Sequence, residues 1–256
     1  MSVSLLLIDA LNLIRRIHAA VPTEDQNALF DRCQGALTKA LRLHKPSHAI
    51  LVWDGGHQHS WRREIYPEYK AQRKPMPEDL AKVLPQLRQA LEQQGVGSVK
   101  QQQFEADDII ATIADKVANY GGKVLVLSTD KGFAQLHSSA ISQWDHFSGE
   151  PIDSKFIEAK VGVTQAQLLD FWALAGDSGN GIPGVPGIGK KTAIQLLNNY
   201  PNIKAIYAAE PQPGKLGERL LAHKADARLS YQLVRLRRDI ELNINLSQYR
   251  LHKEMA

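Results

Sequence analysis

The chain has 256 residues, of which 43% are hydrophobic and 23% are charged. Such a composition is that of a globular protein with one large or two smaller packed domains. The only cysteine, Cys33, excludes an internal disulfide and a cysteine-rich zinc site, and we expect it to be a buried thiol on a helix. The apolar run at residues 5 to 8 is too short to cross a membrane and lacks the flanks of a secretion signal, so we expect a cytoplasmic protein.

Charge is unevenly distributed along the chain. The net charge is +4, and the isoelectric point is about 9.1. From residue 160 onward there are 13 lysine and arginine residues against 8 acidic ones, whereas residues 1 to 159 carry 18 against 19. The second part is therefore the region in which we expect contacts with a polyanion.

Three short apolar runs in the first part each end directly before an aspartate. They cover residues 3 to 8, 49 to 53 and 124 to 129, and they precede Asp9, Asp54 and Asp130. Helical periodicity lies between them, over residues 11 to 19, 27 to 44, 77 to 94 and 107 to 120. This alternation predicts an α/β fold, with a mostly parallel sheet flanked by helices. Residues 141 to 147 are predicted to form one more strand.

The second part is predicted to be helical. The helical patterns cover residues 154 to 160, 164 to 175, 191 to 199, 203 to 208 and 215 to 239, the last with a break at a position that the pattern does not fix, and a strand-like tail follows at 241 to 249. Turn residues at 148 to 154 close the first domain. We therefore predict domains at residues 1 to 160 and 161 to 256.

Acidic side chains are predicted to meet at one edge of the sheet. Asp9, Asp54 and Asp130 each follow a strand, and the carboxyl ends of parallel strands share an edge. Three more acids open a helix: Glu105, Asp107 and Asp108. Acids in the first turn of a helix also stabilise it through the helix dipole, without any further function. Side chains at positions i and i+2 of a helix point in different directions, so some of the three acids would reach a metal only through water.

So many carboxylates in one place require cations, because like charges repel each other. Oxygen donors without paired histidines or cysteines favour Mg²⁺ or Mn²⁺ over zinc. Metal ions held in this way hydrolyse phosphodiesters by activating a bound water and stabilising the leaving oxygen. The acidic edge therefore predicts a metal-dependent phosphodiesterase.

A basic and aromatic segment follows Asp54. Residues 61 to 74 contain five positive charges and three aromatic side chains. One interpretation is a solvated amphipathic segment. The other is a nucleic-acid contact, in which Lys70 and Arg73 hold the scissile phosphate, Arg62 adds a further contact and the rings stack on unpaired bases.

A glycine-rich loop lies in the second part. Residues 184 to 193 approach the pattern of a nucleotide-binding P-loop, but Lys191 replaces its hydroxyl residue and no apolar strand precedes it. The loop matches a helix-hairpin-helix, in which backbone amides at a helix N-terminus contact a DNA phosphate without reading bases. The candidate DNA contacts are Gly187, Ile188, Gly189, Lys190, Lys191 and Thr192.

Taken together, these motifs resemble the structure-specific 5′ nucleases, a family that includes the 5′ nuclease domain of bacterial DNA polymerase I and phage flap endonucleases. The matching stretches occur in family order over nearly the whole chain. They are Leu7-Ile8-Asp9-Ala10-Leu11-Asn12, Trp53-Asp54, Tyr69-Lys70-Ala71-Gln72-Arg73, Glu105-Ala106-Asp107-Asp108, Ser128-Thr129-Asp130-Lys131-Gly132, and Ala175-Gly176-Asp177 through Thr192-Ala193.

The resemblance implies a PIN-like nuclease domain with a helical arch at about residues 57 to 95, followed by a helix-three-turn-helix domain. It implies Mg²⁺-dependent cleavage of 5′-flap or branched DNA near its junction, with Lys70, Arg73 and Asp107 in catalysis. The implied metal ligands are Asp9, Asp54, Glu105, Asp107, Asp108, Asp130 and Asp177. It also implies a K⁺ ion bound by the backbone carbonyls of Leu174, Ala175, Pro183, Val185 and Ile188.

The chain departs from the family pattern at two positions. Gly132 and Asn180 stand where the family has acidic residues that bind a second metal ion. We therefore expect the second ion to be held weakly and the activity to be lower. This leaves open a flap-DNA-binding protein with weak or lost catalysis. A third interpretation is a different hydrolase on a similar acidic sheet, such as a small-RNA nuclease, although the hairpin motif and the basic arch favour DNA.

The sequence contains no motif that predicts a protein partner. Residues 248 to 251 lack the paired aromatic residues of a sliding-clamp peptide. No exposed apolar stripe is evident, so we expect a monomer.

Overall fold

The structure, a computed structural model, describes residues 3 to 22, 25 to 56, 60 to 209 and 213 to 251. The chain divides into two compact units. The first, here called the sheet unit, comprises Met1–Ser60, Lys74–Ile152 and Arg237–Ala256. The second, the helical unit, comprises Trp61–Arg73 and Asp153–Leu236. The domain boundary near residue 160 and the arch at 57 to 95 stay predictions, and residues 57 to 59 of that arch lie outside the described residues.

A six-stranded sheet forms the centre of the sheet unit. Its strands are β1 (Ser4–Asp9), β2 (His48–Trp53), β3 (Gly97–Lys100), β4 (Lys123–Leu127), β5 (Ile141–Asp145) and β6 (Glu150–Pro151). Their order is β3-β2-β1-β4-β5-β6, and only β6 is antiparallel to its neighbour. The predicted α/β fold with a mostly parallel sheet is confirmed.

Helices cover this sheet, as the continuous burial of β1 and β2 requires. Those of the sheet unit are α1 (Ala10–His18), α2 (Gln26–His44), α4 (Glu78–Glu92) and α5 (Ala106–Asn119), whereas α3 (Trp61–Ile65) belongs to the helical unit. Leu6, Ile8 and Leu51 of the strands form one core cluster with Leu37 of α2 and Leu87 of α4. Helix α5 packs against β1, β2 and β4.

The C-terminal segment belongs to the sheet unit but is not the predicted strand. Within the described residues, 241 to 249 form no strand, and the segment contains only a short 3-10 turn, Leu246–Tyr249. It is held by the N–H of Leu251, which donates to the carbonyl of Ser47, and by the N–H of Arg237, which donates to Asp108. The strand prediction for this tail is therefore wrong.

Six further α-helices of the described residues belong to the helical unit. They are α6 (Ser154–Val161), α7 (Leu168–Ala175), α8 (Lys190–Asn199), α9 (Ile203–Ala208), α10 (Gly214–Ala222) and α11 (Lys224–Val234). Helix α7 packs on α8 and α11. The break expected within residues 215 to 239 lies at His223, between α10 and α11, and the second of these helices ends at Val234, before the predicted end. No helix in the described parts of the chain is long and apolar enough to span a membrane.

Candidate active site

Asp9 is the last residue of β1 and the N-cap of α1. Its Oδ1 accepts a hydrogen bond of 3.2 Å from the N–H of Asn12, and its Oδ2 accepts one of 2.9 Å from the Ser128 hydroxyl. Burial, together with the negative charges of Asp54 and Asp130, raises the pKa of Asp9 to about 7. Asp54 and Asp130 therefore lie close enough to Asp9 for their charges to act on it.

Asp54 joins the end of β2 to the beginning of α5. Its Oδ1 accepts a hydrogen bond of 2.8 Å from the N–H of Ala106, the first residue of that helix. Glu105 occupies the N-cap position and is buried, whereas Asp107 in the first turn is half-buried. The hydrogen bond therefore places the acidic start of α5 beside a strand-end aspartate, and the positive end of the helix dipole favours carboxylates there.

The loop after β4 is fixed by two polar side chains that are not among the predicted site residues. The Ser128 hydroxyl accepts a hydrogen bond from the N–H of Asp130. The Gln143 amide donates to the carbonyls of Ser128 and Asp130, at 2.8 and 2.7 Å. Gln143 is buried inside β5, and no local pattern in the sequence of that strand, Ile-Ser-Gln-Trp-Asp, marks it as part of the site. Asp130 itself is exposed, and its Oδ1 accepts from the N–H of Gly132.

Asp108 has a structural partner. The side chain is fully buried, and its Oδ1 accepts a hydrogen bond of 2.9 Å from the N–H of Arg237. This contact attaches the C-terminal segment to α5. The role of Asp108 as a metal ligand stays a prediction.

The chemistry of the acidic edge fits a hard divalent cation. Its donors are carboxylate oxygens, and a cation would offset the burial and the repulsion that raise the pKa of Asp9. In the described residues, however, no group of three or more histidine, cysteine, aspartate or glutamate side chains is arranged to hold a metal ion. The ligands predicted from the sequence therefore do not form a preassembled cage. An ion bound here would also need oxygens from water or from a phosphate of the substrate. Mg²⁺ commonly keeps several of its water ligands when it binds to a protein.

Arg62 does not have the role predicted for it. Its side chain is 2% exposed, and its guanidinium donates to the carbonyls of Leu233, at 2.8 Å, and Arg235, at 3.1 Å. These carbonyls lie at the C-terminal end of α11, where a cation is favourable and acceptors would otherwise lack partners. The prediction that Arg62 contacts DNA is wrong, because the residue is an internal anchor of the helical unit.

Lys70 and Arg73, the two candidate phosphate contacts, lie on one turn of the helical unit. Lys70 has a φ of 54°, and its N–H donates to the carbonyl of Asn180 at 2.8 Å. Arg73 is exposed and donates through Nε to the carbonyl of Gly179 and through Nη2 to Oδ1 of Asn180. Both basic residues are therefore attached to the loop that begins at Asp177.

Asp177 serves as the N-cap of the short turn Ser178–Asn180. Its carboxylate accepts hydrogen bonds from the N–H of Gly179 and from the amide of Asn180. Its backbone pairs with Ile182 in both directions. These contacts are local to the helical unit, and a role of Asp177 as a metal ligand stays a prediction.

The glycine-rich loop brings separate backbone segments close together. Gly176 and Gly184 both have positive φ, and a Cβ on Gly184 would lie 2.7 Å from the carbonyl oxygen of Leu174. A Cβ on Gly176 would lie 2.7 Å from the carbonyl oxygen of Pro183. The carbonyls of α7's last turn and those of the loop thus meet at a crossing that only glycines permit.

Helix α8 begins directly after this crossing, with Gly189 as its N-cap. Lys190 and Lys191 are exposed in its first turn, whereas Thr192 is half-buried. The side chain of Ile188 is buried, so only its backbone could contact DNA. The loop therefore presents two lysines and the first N–H groups of a helix, an arrangement that favours phosphate.

Comparisons with known proteins agree with these features. The N-terminal resolvase-like domain of 5′-3′ exonucleases matches residues 4 to 162, and their C-terminal SAM fold matches residues 163 to 256. The flap endonuclease Xni of Shewanella sediminis is 50% identical over 248 residues, which cover 96% of each chain. That of Shewanella oneidensis is 48% identical over 249 residues, covering 96% of this chain and 95% of the relative.

Solved structures show the same fold. The T5 5′-exonuclease with bound zinc ions superposes with a TM-score of 0.78 at 23% identity, covering 90% of this chain and 88% of that one. The bacteriophage T5 flap endonuclease in a complex with DNA and metal ions gives 0.74 at 22% identity, with the same coverage. The family resemblance seen in the sequence is confirmed. The chain belongs to the 5′-3′ exonuclease family and is a structure-specific 5′ nuclease of the flap-endonuclease kind.

Proposed function

We propose that this chain hydrolyses phosphodiester bonds of DNA carrying a 5′ flap, near the junction of single and double strands, with Mg²⁺ as its cofactor. The observation that carries the proposal is the convergence of Asp9, Asp54 and Asp130 with the start of α5 at one edge of the sheet. Relatives named flap endonucleases and T5 structures containing metal ions and DNA support it. Mn²⁺ has similar ligand preferences and is expected to replace Mg²⁺.

In this proposal Asp9, Asp54 and Asp107 hold the metal ion, with Glu105, Asp108, Asp130 and Asp177 as further candidate ligands. The ion, when bound, supplies an activated water and stabilises the leaving oxygen. Lys70 and Arg73 bind the scissile phosphate and balance its charge. Lys190, Lys191 and the first N–H groups of α8 bind the duplex through its phosphates, independently of sequence.

We also propose that the glycine crossing holds K⁺ through the carbonyls of Leu174, Ala175, Pro183, Val185 and Ile188. The close approach of the Leu174 and Pro183 carbonyls to the two glycines supports this assignment. Replacing K⁺ by Li⁺ at equal ionic strength should weaken binding of duplex DNA. Equal affinity in the two salts would contradict the K⁺ assignment and leave the nuclease proposal intact.

The nuclease proposal is tested with an end-labelled 5′-flap DNA, purified protein and Mg²⁺. The wild type should cut near the flap junction. Asp107→Asn removes one negative charge at nearly constant shape, so cleavage should fall by at least about 100-fold while binding in Ca²⁺ persists. Glu158→Gln, at an exposed position of α6, is the matched control and should cut like the wild type.

Tight binding of flap DNA without cleavage in Mg²⁺ or Mn²⁺ would contradict the proposal and indicate a DNA-binding protein. Faster cleavage of an RNA flap than of a DNA flap would contradict the assigned substrate. Equal loss of cleavage and of folding in Asp107→Asn would show that this carboxylate is structural.

A further inference from the structure

The basic turn, defined here as residues 66 to 73, is attached to the loop at residues 177 to 182 within the helical unit. Tyr69 of the turn is 4% exposed and forms a small apolar cluster with Ile182 and Leu233. A Cβ on Gly181 would lie 3.0 Å from the carbonyl oxygen of Glu68, so the two backbones are in close contact. The position of the turn is therefore set by this loop, although more than 100 residues separate them in sequence.

Asn180 makes the polar contacts that complete the attachment. Its backbone carbonyl accepts from the N–H of Lys70 at 2.8 Å, and its side-chain oxygen accepts from Nη2 of Arg73 at 2.6 Å. Its side-chain nitrogen donates to the carboxylate of Asp177. A guanidinium on one side and a carboxylate on the other fix the orientation of the amide, because each faces only the matching end.

An amide is suited to this position in a way that a carboxylate is not. A carboxylate could accept from Arg73, but it has no proton to donate to Asp177, and the two negative charges would repel. Asn180 stands where the family pattern has an acid. In this chain the position carries an uncharged link between Asp177 and the basic turn.

The backbone of Lys70 shows that the link holds a defined geometry. Its φ of 54° lies in the left-handed region, which a lysine adopts at an energetic cost and keeps only where its surroundings impose it. The hydrogen bond from the Lys70 N–H to Asn180 is one of the contacts that hold this conformation. The direction of the Lys70 side chain thus depends on the 177–182 loop.

We propose that Asn180 is a positioning residue for the cleavage reaction, which holds Arg73 and the Lys70 backbone in the orientation needed to bind the scissile phosphate. This inference rests on the proposed function, because it assigns to Asn180 an effect that acts through the two phosphate contacts. Asn180 itself touches neither substrate nor metal in this assignment.

The test is a double-mutant cycle read by single-turnover cleavage of 5′-flap DNA at saturating enzyme. Asn180→Ala should slow cleavage about 10-fold, since small displacements of positioning groups have effects of this order. Arg73→Ala should slow it more. The variant carrying both changes should be within about twofold of Arg73→Ala alone, because the side chain of Asn180 acts through that guanidinium.

Three further measurements separate positioning from folding. The dissociation constant for flap DNA in Ca²⁺ should change less than about threefold in Asn180→Ala, because the substitution is expected to slow the cleavage step and not to weaken binding. Asn199→Ala, an exposed asparagine of α8, is the matched control for substitution and should resemble the wild type. If Asn180→Ala does not melt cooperatively, Asn180→Asp replaces it and should also slow cleavage, because a carboxylate of nearly the same shape accepts from Arg73 but cannot donate to Asp177.

The positioning role would be overturned if the rate losses of Asn180→Ala and Arg73→Ala multiplied in the double variant, or if Asn180→Ala cut at the wild-type rate. The nuclease function would stand in both cases. A wild type that does not cut flap DNA would overturn the proposed function, and the positioning role with it. The wild-type rate therefore distinguishes the two failures.

Discussion

Oδ1 of Asp54 accepts a hydrogen bond of 2.8 Å from the backbone N–H of Ala106. The contact joins a strand end to the first residue of α5 and satisfies one of the helix N–H groups that have no partner within the helix. Asp54 thus has two separable properties. It is a hydrogen-bond acceptor that supports the fold, and a negative charge that acts on Asp9 and, in the proposed function, on the metal ion.

Two substitutions of Asp54 should separate these properties. Asp54→Asn keeps an oxygen acceptor, so the free energy of unfolding should change little, while loss of the charge lowers flap cleavage by at least about 100-fold. Asp54→Ala loses the acceptor as well and should cost about 1 to 2 kcal/mol of stability. Urea unfolding and cleavage rates measure the two effects. Equal destabilisation by both variants would show that the hydrogen bond to Ala106 contributes nothing.

Arg62 should behave as a structural residue in spite of its place in a basic segment. Arg62→Met leaves two carbonyls at the end of α11 without their donor and should lower the stability of the protein by about 3 kcal/mol. Arg228→Met, at an exposed position of α11, should change stability by less than about 0.5 kcal/mol. For the folded variant, the salt dependence of DNA binding should match that of the wild type. A slope lower by about one unit would restore Arg62 to the DNA contacts.

The strand-end aspartates were predictable because the rule that locates them depends on local patterns. Apolar runs that end in Asp9, Asp54 and Asp130 define parallel strands, and parallel strands present their carboxyl ends at one edge. Arg62 was not predictable, since its partners lie 171 and 173 residues away and a burial of this kind leaves no mark on the local sequence. A run of positively charged residues looks the same in the sequence whether a given side chain is solvated or is buried and hydrogen-bonded within the protein.

The C-terminal tail shows a second limit of sequence patterns. Leu242, Ile244 and Leu246 alternate with polar residues, as in a half-buried strand. In the structure they line a groove together with Ile113 and Val117 of α5, without pairing to a strand. An extended segment that packs on a helix has the same alternation as a strand, so the pattern cannot distinguish the two.

The conformation of Lys70 gives a prediction that separates its backbone from its side chain. Both Lys70→Gly and Lys70→Ala remove the ammonium and should weaken cleavage equally. Glycine adopts a φ of 54° without the cost that alanine bears, so Lys70→Gly should be the more stable of the two by about 1 kcal/mol. Chemical denaturation measures the difference. A more stable alanine variant would show that the left-handed conformation is not maintained in solution.

Cys33 should be unreactive in the folded protein. The thiol is buried in the core of the sheet unit, and burial raises its pKa to about 12 from an ordinary value of 9.0. At pH 8 the thiolate fraction in the folded state would be about 10⁻⁴, so Ellman's reagent should label the thiol only after unfolding in urea. Because the folded state favours the protonated thiol, this contribution to stability is complete below pH 9 and is lost as the pH rises toward 12. Rapid stoichiometric labelling of the native protein at pH 8 would contradict the burial.

Lys190 and Lys191 should account for part of the salt dependence of DNA binding. Both are exposed in the first turn of α8, next to N–H groups that favour an anion. If each contacts a phosphate, Lys190→Gln and Lys191→Gln should each lower the slope of log affinity against log salt by about 0.9, with no change in sequence preference. Lys155→Gln, at an exposed position of α6, is the matched control and should keep the wild-type slope. Affinities of a blunt duplex measured across a range of KCl concentrations test this. A slope that falls equally in the control would indicate a diffuse effect of net charge, whereas a selective fall assigns the contact to the first turn of α8.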